Sequence, residues 1–109
     1  MNSLSEVLVI NHRLLEEATQ GLNTYLFTFS KIKQLICEDG CRGLGVFFHT
    51  RIGKIVVFFP ESQEYSVAVY ATGEFKNGPQ SYGEFQLAVE EILKVLYQRV
   101  IALTKPKIA

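Results

Sequence analysis

The run Lys54-Ile55-Val56-Val57-Phe58-Phe59 constrains this chain more than any other segment. Successive side chains of a strand point to opposite faces, so a strand from Ile55 to Phe59 is apolar on both. An antiparallel sheet with one wet face shows clean alternation instead, so this strand needs cover on two sides. Its flanks read as its partners. Residues 45–50, the Gly-containing loop Arg51-Ile52-Gly53 and residues 54–59 form a hairpin pattern. After the turn at 60–63, residues 65–72 give a third strand with Tyr65, Val67, Val69 and Ala71 on one face. Short connections make this a three-stranded antiparallel meander over 43–72.

Helical periodicity brackets the meander. Ser81-Tyr82-Gly83-Glu84 is a capping box, and Phe85, Ala88, Ile92, Val95, Leu96 and Leu103 form a stripe that ends before Pro106, predicting a helix over 81–104. Its carboxylates Glu84, Glu90 and Glu91 lie toward the start and Lys94, Arg99 and Lys105 toward the end, as the macrodipole favours. Leu87, Leu93, Tyr97, Val100 and Ile101 fall beside the stripe, so the apolar arc is wider than one sheet face needs. At the other end, a capping box at Ser3 to Glu6 followed by Leu4, Val7, Leu8, Leu15 and Ala18, with Gly21 as C-cap, predicts a helix over 4–20. The competing reading makes residues 7–10 a short strand and starts the helix after Asn11. Residues 24–29 alternate as a strand, with Tyr25, Phe27 and Phe29 on one face. They also fit the first half of a helix running to Glu38, and continuity with 31–36 favours that helix; Asp39-Gly40 ends the segment either way. The expected fold is therefore a two-layer α+β domain over 1–109, mainly helical over 1–40. Its three-stranded meander, with a fourth strand at 24–29 as the open option, packs against a long C-terminal helix and one or two N-terminal helices.

Composition narrows the function. Eleven Lys+Arg balance eleven Asp+Glu, which argues against disorder and against a chain whose main business is phosphate backbone. Eight Phe and five Tyr in 109 residues are more aromatic surface than so small an interior readily hides. No run approaches the ~18 apolar residues of a membrane span, and the start lacks a basic, apolar export signal. With two cysteines, a reducing cytoplasm is the expected setting, with no membrane partner.

Chemistry-bearing residues are sparse. Cys37, Cys41, His12 and His49 supply the four donors zinc needs, but the histidines are 37 positions apart and on different expected elements, so the thiols read as a helix-end pair and no metal or cofactor is expected. A Cys–His nucleophile would need those elements to meet. Glu16-Glu17, Glu38-Asp39 and Glu90-Glu91 are adjacent in sequence and point apart on helices, which suits solvated faces better than acid–base work. Gly43-Leu44-Gly45 opens no helix and so reads as a flexible lead into the hairpin, not a phosphate loop.

The order helix, three strands, helix resembles that of double-stranded-RNA-binding domains, most visibly over residues 67–96. That family grips phosphate with a basic cluster at the start of its last helix; here the position reads Ser81-Tyr82-Gly83-Glu84-Phe85-Gln86, so the resemblance is one of topology and nucleic acid is disfavoured as a partner. The expectation is a non-enzymatic cytoplasmic interaction module, a homodimer or a subunit or regulator of a larger complex. Phe47, Phe58, Tyr70, Tyr97 and Val100 are its candidate anchors, and a free sheet edge is a second route. Arg51 and Lys54 at the hairpin tip are weaker candidates for an anionic partner. The alternative is a nucleic-acid-associated regulator of α-β-β-β-α order.

Overall fold

The computed structural model describes residues 10–62, 67–73 and 79–104. Helix α1 (His12–Thr19) is followed by strands β1 (Thr28–Ile36), β2 (Arg42–His49), β3 (Gly53–Pro60) and β4 (Ala68–Gly73), then helix α2 (Pro79–Thr104). The strands form one antiparallel sheet in the order β1-β2-β3-β4. The α+β architecture and the meander are as expected, with one strand more than the three-strand reading.

The extra strand overturns the helix running to Glu38, and with it a mainly helical 1–40. Thr24 starts the correction, because its hydroxyl accepts from the backbone N–H groups of Leu26 and Phe27, both at 3.2 Å, and so folds a turn that leaves Tyr25 exposed and Phe27 buried. The strand also begins later than 24–29. Within β1, Phe29 pairs with Phe48 and Lys31 with Phe47, so Ser30 is an extra residue, a bulge. That bulge puts Phe29 and Ile32 on one face although they are three apart in sequence, the spacing of a helix.

The amino-terminal helix starts after Asn11, as the competing reading had it. The Asn11 side chain accepts from Leu14 N–H at 2.8 Å, an N-cap. The expected box at Ser3 to Glu6 and, except for Ile10, the short strand at 7–10 lie outside the described residues. Gly21, at φ +69°, follows the helix end where a left-handed residue is wanted. Arg99 of α2 donates to the carbonyls of Ala18 (3.3 Å) and Gln20 (2.7 Å), supplying partners for that helix end.

Helix α2 begins two residues before the expected Ser81, with Pro79 in its first turn, a position where a missing N–H costs nothing. Ser81 is buried, and Glu84 bonds Arg51 across the fold. No acidic side chain falls in the first turn and no basic one in the last, so the macrodipole gains little from the charge gradient. Phe85, Ala88, Ile92, Leu96 and Val100 are buried, with Leu15, Ala18 and Leu22 from the α1 region, against one sheet face. That inner face is Phe29 and Ile32 of β1, Val46 and Phe48 of β2, and Ile55, Val57 and Phe59 of β3, with Val69 of β4 at its margin. Phe27 and Phe29 meet Phe48 edge-on at ring-centroid distances of 5.5 and 6.0 Å. Among the described residues no helix is long and apolar enough to cross a membrane.

Candidate functional site

Strand registers place the alternate residues of the same strands on the second, outer face. Across the sheet, one row reads Lys31, Phe47, Val56, Tyr70, and the next Lys33, Gly45, Phe58, Ala68. Toward one end of the strands lie His49, Lys54 and Thr72; toward the other, Leu35 and Gly43. All the helical cover described above lies on the inner face, so this outer face is where the second apolar side of β3 comes to rest.

Gly43 and Gly45 shape its floor. They lie within β2, and the expected flexible lead into the hairpin is corrected accordingly. A Cβ on Gly45 would stand 2.5 Å from Leu35 Cδ1, and one on Gly43 would stand 2.7 Å from Phe58 Cζ. Their missing side chains let Leu35 and Phe58 lie down on the sheet. Phe58 is consequently 3% exposed, whereas Tyr70 beside it is 52% exposed. Phe47 is half-buried, with the Lys31 ammonium 5.4 Å from its ring centroid.

A shallow hollow of about 620 Å³ opens over Phe58, Ala68 and Tyr70, walled by Cys37, Glu38, Asp39 and Cys41. The wall is the β1–β2 turn, a three-residue loop Glu38-Asp39-Gly40 closed by Cys37 N–H to Cys41 C=O at 2.8 Å, with Gly40 at φ +87°. The thiols are therefore hairpin residues and not helix-end ones, and their spacing is that of the loop they flank. Asp39 Oδ1 accepts from Cys41 N–H at 3.0 Å. Burial, reinforced by the charge of Asp39, pushes the Cys41 thiol above its ordinary range and keeps it protonated at neutral pH. His49 sits at the far end of β2, roughly 25 Å of strand away, and His12 bonds Glu16 on α1 at 2.8 Å. Among the described residues no group of three or more His, Cys, Asp or Glu gathers as a metal would require.

The five candidate anchors thus separate. Phe47 and Tyr70 present surface on the outer face, and Phe58 is its buried floor. Tyr97 lies in the helical layer, its ring edge-on to Phe59 at 6.4 Å, and burial raises its hydroxyl pKa. Val100, 1% exposed, is core: it continues the Ala88, Ile92, Leu96 series at steps of four, so it cannot serve as an anchor. On the exposed side of α2, Leu87 and Ile101 stand fourteen residues, or about 21 Å, apart with Lys94 between them, and Tyr97 lies one turn before Ile101. Arg51, exposed at the hairpin tip, is already paired within the chain. Its Nη2 donates to both oxygens of Glu84 at 2.7 and 2.6 Å, pinning the hairpin tip to α2, and the pairing raises the guanidinium pKa further. Lys54 stands exposed on the outer face. Val56 was missed by the sequence reading, although it joins Phe47 to Tyr70; its register across from both was the signal.

Comparison with protein-family models, with curated proteins and with solved structures found no match to this chain.

Proposed function

We propose that this chain is a small, non-enzymatic, cytoplasmic protein-interaction module that works as a homodimer or as a subunit or regulator of a larger complex. The observation that carries the reading is the outer sheet face, where Phe47, Val56 and Tyr70 form an apolar row over a glycine-lined floor. Such a row, rimmed by Lys31 and Lys54, has the make-up of a protein contact, with an aromatic centre and a polar rim. The non-enzymatic part draws support from thiols and imidazoles held apart and from a Cys41 thiol kept in its poor-nucleophile form. A photo-reactive amino acid placed at Tyr70, with a second at exposed Gln98 as control, tests the reading in the source cell. Adducts with protein at Tyr70 well above those at Gln98 are expected; equal or absent adducts overturn it.

A nucleic-acid-associated role is the second reading, and one observation favours it: Lys31, Lys33 and Lys54 share this face with Phe47 and Tyr70, the mixture that stacks and steers single strands. It requires salt-dependent retention on heparin or a rise in anisotropy of a labelled oligonucleotide at low salt. Absence of both ends it.

A further inference from the structure

The two edges of the sheet are built differently. β1 carries Lys31 and Lys33 and is interrupted by the bulge at Ser30, both devices that discourage pairing with another strand. β4, with Val67 before it, reads Val67-Ala68-Val69-Tyr70-Ala71-Thr72-Gly73, with no charge and no proline. Among the described residues no strand pairs with its far side, which is the end of the sheet.

We propose that the occupant of this edge is a second copy of the chain, joined antiparallel, β4 to β4, with Tyr70 on the two-fold axis and one eight-stranded sheet as the result. The proposal rests on the outer face being an interaction surface and names the partner there. Three features select a second copy in this register. Side chains opposite one another across a sheet must point to the same face. A two-fold at Tyr70 satisfies this while pairing all seven edge residues, Val67 with Gly73, Ala68 with Thr72 and Val69 with Ala71. The row Phe47, Val56, Tyr70 then runs unbroken into its own image.

Charge and the outer row set the direction. Lys54 pairs with Thr72 near one end of β4, while Glu38 and Asp39 wall the hollow over Ala68 at the other. An antiparallel copy sets Thr72 beside Ala68, and so brings the partner's Lys54 two strand spacings, about 10 Å, from Ala68, at the end of the sheet where the acidic turn lies. A parallel copy related by a two-fold would turn its outer face to the opposite side of the sheet and break the row. Equal numbers of cations and anions leave no net repulsion between copies.

Position 70 meeting itself gives a test specific to a two-fold at that residue, and hydrogen exchange at β4 reports the edge pairing. In sedimentation velocity the full chain is expected to show a concentration-dependent dimer in the micromolar range, with the β4 amides slowing in hydrogen exchange as concentration rises. Tyr70→Lys and Tyr70→Glu, at an exposed position and checked for native circular dichroism, are each expected to weaken the dimer at least tenfold, and their equimolar mixture to restore a one-to-one heterodimer. A wild-type monomer at the highest attainable concentration, a dimer indifferent to Tyr70→Lys, or a mixture that stays monomeric overturns the proposal. If the pure chain is monomeric while the Tyr70 probe still captures other proteins in cells, self-pairing alone has failed; if the probe captures nothing, the interaction reading has failed with it.

Discussion

The inner and outer faces of this sheet are made from alternating residues of the same strands, yet they do different work. Inside, Phe48, Ile55 and Val57 are wholly buried under the helices, so the free energy of folding resides there. Outside, Phe47 and Val56 are half-buried and Tyr70 is open, so their apolar surface gains little from folding and is free to gain from association. A strand apolar on both faces therefore reports two separate demands, one met by the described helices and one that the proposed contact would meet.

The sharpest way to break that division is to truncate matched positions on neighbouring faces. Phe48→Ala removes a ring packed against two others and is expected to cost about 3–5 kcal/mol of unfolding free energy in urea titration. Phe47→Ala, its sequence neighbour, is expected to cost well under half of that. A comparable loss at both would mean that the outer row is part of the core. Next in size is the glycine floor. Gly43→Ala would thrust a Cβ against the Phe59 carbonyl, Pro60 Cα and the Phe58 ring, and backbone cannot yield as a side-chain tip can. A loss of about 1–3 kcal/mol is expected, with a changed Phe58 environment in NMR. Smaller again is Arg51→Ala, which removes an exposed ion pair to Glu84: about 1 kcal/mol or less, and no change in dimerisation if Lys54 and not Arg51 faces the partner.

How much of this was legible follows the same division. The meander, the long last helix and the two-sided middle strand were readable because alternation and the i, i+3, i+4 stripe are set by backbone geometry alone. β1 was not, because the bulge at Ser30 restores helical spacing between Phe29 and Ile32, and Thr24 breaks the run at a point where residue preference favours a strand. Tyr70 and Phe47 were candidates by aromatic character, and strand register puts both on the outer face. Val100 was misplaced because a stripe judged on six residues hid the fourfold steps through Ala88, Ile92 and Leu96. Gly43 and Gly45 were misread because a glycine in a strand and a glycine in a loop look alike until the residue lying over it is known. The pairing of Arg51 with Glu84, 33 residues apart, has no local signal at all.

The smallest expected effect is a pH slope at the acidic wall of the outer hollow. Folding raises the Cys41 thiol above its unfolded value, chiefly by burial and then by Asp39. The folded state accordingly holds a proton that the unfolded state gives up first, so the stabilisation is complete below the ordinary thiol range and is lost as pH rises through the raised value. Urea midpoints should fall more steeply between neutral and alkaline pH in the wild type than in Cys41→Ala, and alkylation of Cys41 at pH near 8 should be slow until urea releases it. Because the Asp39 carboxylate also accepts the Cys41 N–H, Asp39→Asn should relieve the charge contribution while keeping an acceptor in place, leaving a shallower slope that burial alone maintains. An unchanged slope in Asp39→Asn would assign the whole effect to burial.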